Sequence, residues 1–368
     1  MKICLIYNYA QHYRASIFKL ISETFDTDFF FGDSMSDVKK MDYTILKGNV
    51  TEVHTKRIGH FTFQPQILSL LRQRKYSTYL MLGDTRSVST WLFLLKSIFY
   101  PHKKVFLWSH GFYGKESPIE RLFKKLFFRL PNGGVFLYGN YARSLMIKCR
   151  LNPQKLYTLH NSLDYDSQIS IRNKLSESSI YRDHFKNADY NLVFIGRLTP
   201  VKKLDMILEA MSICLTEAHL KVNCTFVGSG AEEDNLKRLT NSLNLSDRVW
   251  FYGACYDETK IGELIYNADI CVSPGNVGLT AMHSMVYGTP VITHNDYAHQ
   301  MPEFEAIVEG KTGCFFQNGN SSDLAKSIMT WLRNNGKRRE EIRANCFKEI
   351  DSAWTPYFQI NVLKDYLC

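Results

Sequence analysis

Two basic side chains in the second half of the chain could bind phosphate. Arg197 and Lys202 follow an apolar run in the segment FIGRLTPVKKL at 194–204. Arginine offers a planar fork of donors to phosphate oxygens, and lysine offers a point charge. Taken alone, the pair is equally compatible with two ordinary solvated residues. Their neighbours along the chain make the phosphate interpretation the stronger one.

A glycine-bearing loop further on could complete such a site. The loop SPGNVG at 273–278 leads into apolar residues at helical spacing. Gly278, Leu279 and Thr280 would then present backbone N–H groups at a helix N-terminus, where unpaired donors and the helix dipole favour anions. His283 lies one turn into the same helix. Its side chain would either face the ligand or form a buried hydrogen bond.

Three glycines follow predicted strands of the same half. They are Gly196, Gly228 and Gly253. The Gly-Ser-Gly turn that starts at Gly228 is not the full G-x-G-x-x-G fingerprint, so alone it fits an ordinary strand-to-helix turn. The functional alternative is that each glycine lets the backbone approach a nucleotide.

Polar side chains also follow three predicted strands of the first half. Tyr13 and Arg14 come after the first strand, Asp84 and Arg86 after a second, and His110 after a third. Doubly wound sheets bind their ligands at the carboxyl ends of the strands, which is where these side chains follow. Asp84 could instead cap a helix, and His110 could bond to backbone.

Apolar runs alternate with helical patterns along the whole chain. Strands are predicted at 2–7, 27–31, 78–82, 104–108, 135–138, 156–159, 191–195, 222–227, 249–252, 269–273, 291–293 and 313–316. Helices are predicted at 15–23, 65–74, 87–99, 117–129, 141–149, 203–214, 232–243, 258–267, 279–287, 323–334, 338–350 and 354–367. This alternation predicts an α/β protein with parallel sheets covered by helices on both faces.

The chain length favours two domains, because 368 residues exceed one ordinary core. We expect a first Rossmann-like domain at 1–165, with the helix at 353–368 packing back on it. The polar segment 166–190 is expected to link it to a second Rossmann-like domain at 191–352. Ligands of such paired domains bind in the deep cleft that the two domains face.

Composition narrows the class of protein. The formal net charge of +9 favours anionic partners such as nucleotides, phospholipids or nucleic acids. The nine cysteines are scattered, without a C-x-x-C pair, which argues against a disulfide framework or zinc ribbon and for a reducing compartment. The start of the chain lacks a secretory pattern, and apolar runs fall short of the roughly 18–20 residues that cross a membrane. A cytoplasmic protein is expected.

The second half, from about 191 to 316, resembles the C-terminal domain of family 4 of the retaining glycosyltransferases, which have the GT-B fold. The similar segments occur in the family's order: FIGRLTPVKK, FVGSGAEEDNLKRL, LSDRVWFYG, NADICVSP, GLTAMHSMVYGTPVI, the Pro302-Glu303 pair and GKTGCFF. The resemblance implies transfer of a sugar from a nucleotide diphosphate donor, with retention and without a metal or other cofactor. It places Arg197 and Lys202 on the donor diphosphate.

This chain departs from the family pattern at a position that contacts the donor sugar in the family. The family usually has two glutamates eight positions apart, and Gly275 and His283 occupy those positions here. His283 can still hydrogen-bond a ribose hydroxyl. Asn276 or the loop backbone is expected to contact the sugar instead of the first glutamate. The identity of the sugar therefore does not follow from the usual pattern.

The first half resembles the family more loosely, as an acceptor domain does. His110 corresponds to a cleft histidine of many members and is expected to orient donor or acceptor. Tyr13, Arg14, Asp84 and Arg86 are expected to contact the acceptor, a glycan or lipid-linked glycan used in capsular or lipopolysaccharide-type polysaccharide synthesis. The basic, aromatic helix at 117–130 could lie on an anionic membrane at its inner face, or be a core helix with snorkelling charges.

Three other classes of protein compete with this interpretation. A sugar-nucleotide epimerase or hydrolase of the same fold would need no acceptor. The positive charge alone would suit a module that binds nucleic acid or an anionic surface, although no nucleic-acid motif stands out. A dehydrogenase would need the missing G-x-G-x-x-G.

Overall fold

The computed structural model describes residues 2–33 and 38–367. The predicted first domain at 1–165 begins at Met1, and the predicted helix at 353–368 ends at Cys368. Both of these terminal residues lie outside the described residues. The chain forms two compact units, Met1–Asp164 with Thr355–Cys368, and Tyr165–Trp354. Each unit is a doubly wound parallel sheet covered by helices.

The first unit contains a seven-stranded parallel sheet in the order β3-β2-β1-β6-β7-β8-β9. Its strands are β1 (Lys2–Tyr7), β2 (Thr27–Gly32), β3 (Val50–Val53), β6 (Tyr76–Leu82), β7 (Lys104–Ser109), β8 (Gly134–Leu137) and β9 (Leu156–Thr158), and β4 (Lys56–Ile58) and β5 (Phe61–Phe63) form a separate antiparallel hairpin. The helices are α1 (Ala15–Thr24), α2 (Ile67–Leu70), α3 (Val88–Ser97), α4 (Pro118–Arg129) and α5 (Asn140–Lys148).

Successive side chains of β1 point alternately into the hydrophobic cores on the two faces of this sheet. Ile3, Leu5 and Tyr7 pack with α1 on one face, whereas Cys4 and Ile6 pack with α2 to α5 on the other. A strand with helices on both faces has no side exposed to water, which explains its continuous apolar run.

The second unit contains a six-stranded parallel sheet in the order β12-β11-β10-β13-β14-β15. Its strands are β10 (Tyr190–Ile195), β11 (Val222–Val227), β12 (Val249–Gly253), β13 (Ile270–Ser273), β14 (Val291–His294) and β15 (Gly313–Phe316). The helices are α6 (Tyr165–Arg172), α7 (Ile180–Phe185), α8 (Asp205–Ala218), α9 (Glu233–Ser242), α10 (Glu258–Asn267), α11 (Leu279–Val286), α12 (Ser321–Asn335) and α13 (Arg339–Ala353).

The last helix, α14 (Pro356–Leu367), belongs to the first unit. Ile360, Leu363 and Leu367 are buried in the core that also contains Ile17 and Phe18 of α1. The chain therefore crosses between its two units twice.

Four segments differ from the sequence-based expectations, and the first is β3, which was not predicted. The segment 166–190, expected as a linker, contains α6 and α7 and lies in the second unit, where both helices contact α10. The predicted helix at 65–74 is confined to Ile67–Leu70. The hairpin of β4 and β5 was not predicted, because its two three-residue strands are largely exposed and lack an apolar period.

Candidate functional site

The loop before α11 has a backbone conformation that only glycine adopts easily. Gly278 has φ +54° and ψ −148°, and it precedes the first residue of the helix. The N–H of Val277 donates to Gln300 Oε1 at 2.9 Å, and Gln300 in turn donates to the Thr293 hydroxyl and the His294 carbonyl. The buried glutamine thus holds the loop rigidly at the carboxyl ends of β13 and β14.

Gly275 is explained by a close approach of two backbone segments. A Cβ at this position would lie 2.1 Å from the carbonyl oxygen of Val201. The Gly275 N–H donates to the Lys202 carbonyl at 2.9 Å. The position where the family resemblance implies a glutamate therefore has no room for any side chain here, and the contact joins the Lys202 segment to the glycine loop.

Lys202 is a half-buried cation of this site. Its Nζ donates to the carbonyl oxygen of Asn276 at 2.6 Å and to Asn276 Oδ1 at 3.0 Å. The pKa of Lys202 is lowered to about 8, because burial and, to a smaller extent, the Arg197 charge lower it more than the Glu303 charge raises it. Arg197 is exposed. An anion bound beside these two residues would stabilise the charged lysine.

Asn276 and Thr280, which are predicted to contact the donor, already form hydrogen bonds within the protein. Asn276 accepts from Lys202 with both its amide oxygen and its backbone carbonyl. The Thr280 hydroxyl donates to the Ile195 carbonyl at 3.0 Å, which ties α11 to the end of β10. Leu279 and Thr280 keep the N–H groups of a first helical turn, which have no partner within the helix.

The three strand-end glycines form a packed row. The Gly196 N–H donates to Val227 O at 3.0 Å, and the Gly228 N–H donates to Gly253 O at 2.8 Å. A Cβ on Gly228 would lie 1.9 Å from the Gly196 carbonyl oxygen. The close packing of neighbouring strand ends therefore explains Gly228. Gly253 has open space around its Cα.

His283 is paired with a carboxylate from another helix. Its Nε2 lies 2.9 Å from Glu258 Oε1, which also accepts from the Tyr287 hydroxyl at 2.8 Å and from Gln168 Nε2 at 3.1 Å. Burial raises the pKa of Glu258, but the His283, Tyr287 and Gln168 contacts outweigh it and lower the pKa overall. Sequence reasoning missed Glu258, because no local spacing connects the start of α10 to α11.

The first unit has a cavity of about 500 Å³ at the carboxyl ends of β1, β6 and β7. It gathers all five residues predicted there: Tyr13, Arg14, Asp84, Arg86 and His110. Sequence reasoning missed Tyr138 and Lys124, which also line the cavity. Lys124 lies on α4 and Tyr138 directly follows β8, so no local sequence motif indicates that they belong to this cavity.

Asp84 and His110 have distinct environments in this cavity. Asp84 Oδ1 accepts from the Arg86 N–H at 2.9 Å, whereas the cap of α3 is Ser87. Burial lowers the pKa of His110 to about 4, helped by the Arg14 and Lys124 charges. The histidine is therefore neutral at physiological pH. Its ring lies 4.5 Å from the Tyr138 ring, and its buried Nδ1 has no hydrogen-bond partner among the described residues.

Comparison with known proteins defines the class to which this architecture belongs. Residues 179–349 match the sequence profile of the family described as Glycosyl transferases group 1. The chain superposes on the crystal structure of Anabaena Alr3699/HepE in complex with UDP with a TM-score of 0.72, covering 99% of both chains at 14% identity. The predicted α/β class with two Rossmann-like domains is confirmed, and the fold is GT-B. The residues that match this profile lie in the second unit.

Two curated relatives match part of the chain. A D-inositol 3-phosphate glycosyltransferase from Thermomonospora curvata is 30% identical over 171 residues, which are 43% of this chain and 38% of that protein. The putative glycosyltransferase EpsD of Bacillus subtilis is 30% identical over 147 residues, 39% of this chain and 36% of that protein. The matches thus span less than half of either relative.

Proposed function

We propose that the protein is a retaining glycosyltransferase that moves a sugar from a nucleotide diphosphate donor to a glycan or lipid-linked glycan acceptor. The observation that carries the proposal is the contact of Lys202 with the loop before α11. It places a half-buried cation beside a helix N-terminus within the unit that matches the glycosyltransferase family. Two kinds of anion recognition meet at one point.

The proposed chemistry rests on stabilising the leaving diphosphate. Negative charge develops on this group as the bond to the sugar breaks. Lys202, Arg197 and the N–H groups of Leu279 and Thr280 would bind it, so this mechanism requires no metal ion. Removing one such donor typically costs a factor of roughly 10²–10³ in rate.

The donor is proposed to be a uridine nucleotide sugar, because a structural neighbour of the whole chain binds UDP. Gly196, Gly228 and Gly253 would leave the strand ends open to the nucleotide. His283 would donate to a ribose hydroxyl while Glu258 fixes its orientation. Asn276 and the loop backbone would contact the sugar.

A transfer assay tests this function. Purified protein would be incubated in EDTA with a panel of UDP-sugars, with and without glycan acceptors, and the products identified by mass spectrometry and anomeric NMR. Acceptor-dependent product with retained configuration is expected. Free sugar or an epimerised donor formed equally without acceptor would favour the epimerase or hydrolase.

The pKa of Lys202 predicts how donor affinity depends on pH. The lysine is charged below about pH 8 in the free protein, and a bound diphosphate would raise its pKa. UDP affinity should therefore be constant up to about pH 8, and then fall by up to about tenfold per pH unit as binding requires proton uptake. Calorimetric titrations from pH 7 to 9.5 would measure this. The Lys202→Ala variant should bind UDP weakly and without this dependence, and an equal slope in both proteins would contradict the assignment.

The first unit also presents a surface suited to an anionic membrane. Described helices are all too short or too polar to cross a membrane. Exposed apolar side chains nevertheless occur on three segments of this unit: the β4–β5 hairpin, α3 with the two residues after it, and α4. We call these side chains the apolar face: Ile58, Phe61, Leu92, Leu95, Ile98, Phe99, Ile119, Leu122, Phe123 and Leu126. Helix α3 joins the three, because it contacts β5 and its Trp91 ring packs on Phe127 of α4. Exposed basic side chains are interspersed, among them Arg57, Arg121 and Arg129.

We therefore propose that this cytoplasmic enzyme binds the inner face of the membrane through its apolar face, near a lipid-linked acceptor for surface polysaccharide. Phe99 is 82% exposed and Phe123 is 59% exposed, so both could enter the interface at little cost. The basic side chains would be attracted to anionic lipids.

Vesicle sedimentation would test the membrane contact. Binding to vesicles with 30% phosphatidylglycerol should fall at least about tenfold in a Phe99→Ser/Phe123→Ser double variant, because two aromatic side chains that would insert into the membrane interface are lost. Tyr256→Ser is the matched control, since Tyr256 is 94% exposed on the second unit. Unchanged binding of the double variant would contradict the proposed face.

A further inference from the structure

A buried arginine in the first unit has no acidic partner. Arg14 is 6% exposed and follows Tyr13 at the start of α1. One guanidinium nitrogen donates to the Tyr138 hydroxyl. Nε and the other terminal nitrogen have no hydrogen-bond partner among the described residues, and none of the ion pairs formed by those residues includes Arg14. A buried charge in this state is costly unless a counter-charge completes it.

Aromatic rings surround the guanidinium instead of carboxylates. Its carbon lies 5.2–5.3 Å from the ring centres of Tyr7, Trp108 and Tyr138, and 5.9 Å from that of Tyr13. The hydroxyls of Tyr7 and Tyr138 are 2.9 Å apart, which fixes the position of two of these rings. The π faces hold the cation in place without neutralising it.

The cavity that Arg14 lines is positively charged. Four basic side chains line it, Arg14, Arg86, Lys115 and Lys124, against the two acidic side chains of Asp84 and Glu120. Lys124 is already neutralised by Glu116 at 2.7 Å. Arg14 therefore remains a positive charge that faces the cavity without a carboxylate of its own.

We propose that this cavity binds an oxyanion, a phosphate or carboxylate carried by the acceptor, against the guanidinium of Arg14. The anion would accept from the two nitrogens that have no partner and would balance the net positive charge of the cavity. The aromatic rings would exclude water around the pair, which strengthens the interaction. The inference rests on the proposed function only in calling the ligand an acceptor, since the anion site itself stands on the geometry around Arg14.

Thermal unfolding in inorganic phosphate would test the site. The Lys202→Ala background weakens phosphate binding at the proposed donor site. In this background, 50 mM phosphate should raise the unfolding midpoint by about 3 °C or more over chloride of equal ionic strength, because a ligand of the folded state stabilises it. Adding Arg14→Gln should abolish the rise. A rise that persists in the double variant, or no rise in Lys202→Ala, would overturn the proposal.

Two further arms complete the experiment. Acetate in place of phosphate distinguishes a carboxylate site from a phosphate site. Thermal unfolding of the wild-type protein with UDP tests the donor function separately. If UDP does not raise the unfolding midpoint but phosphate does, the proposed function is contradicted and the anion site stands. If Arg14→Gln does not fold, wild-type crystals soaked in selenate decide: an anomalous peak beside Arg14 supports the proposal, and an empty cavity refutes it.

Discussion

Replacing Lys202 with alanine is expected to lower kcat/KM for the donor by roughly 10²–10³, the usual effect of removing one donor to a developing anion. The half-buried side chain donates to Asn276, whereas the neighbouring Lys203 donates to Asn318. Its charge would act on the diphosphate in a site with little water, where electrostatic interactions are strong. Steady-state kinetics with the cognate UDP-sugar would measure the loss.

Lys203→Ala is the matched control for this change. Lys203 is the next residue, and its Nζ donates to Asn318 Oδ1 at 2.9 Å rather than to the glycine loop. We expect this variant to keep the wild-type rate. Equal losses in both variants would mean that general disturbance of the segment, and not the charge of Lys202, lowers activity.

The Gly275→Ala variant is expected to be destabilised and inactive. Its Cβ would lie 2.1 Å from Val201 O and 2.7 Å from Lys202 Cα, so backbone must move. Such overpacking costs about 3 kcal/mol in the free energy of unfolding, at the upper end of the usual range. For a unit of this size the unfolding midpoint should fall by roughly 6–12 °C. Activity should fall as well, because the movement displaces Lys202.

Gly319→Ala is the control for Gly275→Ala. It distinguishes the clash with Val201 at position 275 from the ordinary cost of replacing a glycine. Gly319 has φ +77° but open space around its Cα, so alanine there meets only backbone strain of roughly 1–2 kcal/mol. Differential scanning calorimetry would compare the two variants. A Gly275→Ala protein as stable as Gly319→Ala would show that the Lys202 segment can move aside. A side chain at position 275, such as the glutamate that the family resemblance implies, would then not be excluded by space.

Much of the fold could be predicted from local pattern. The strands from β6 to β15 fall within about two residues of the apolar runs that predicted them, since parallel strands covered on both faces must be apolar throughout. The hairpin and the helices α6 and α7 could not be predicted. Their residues are polar or exposed, and contacts with distant elements stabilise them.

The sequence by itself determined the two doubly wound sheets, the glycine loop before α11 and the basic residues beside it. These features depend on residues close together in the chain, where spacing and type specify turns and helix starts. The partners of these residues depend on which distant segments touch. Only the tertiary structure decided that Val201 leaves no room at position 275, that Glu258 pairs with His283 and that four rings enclose Arg14. In each case the contact joins elements that local spacing does not relate.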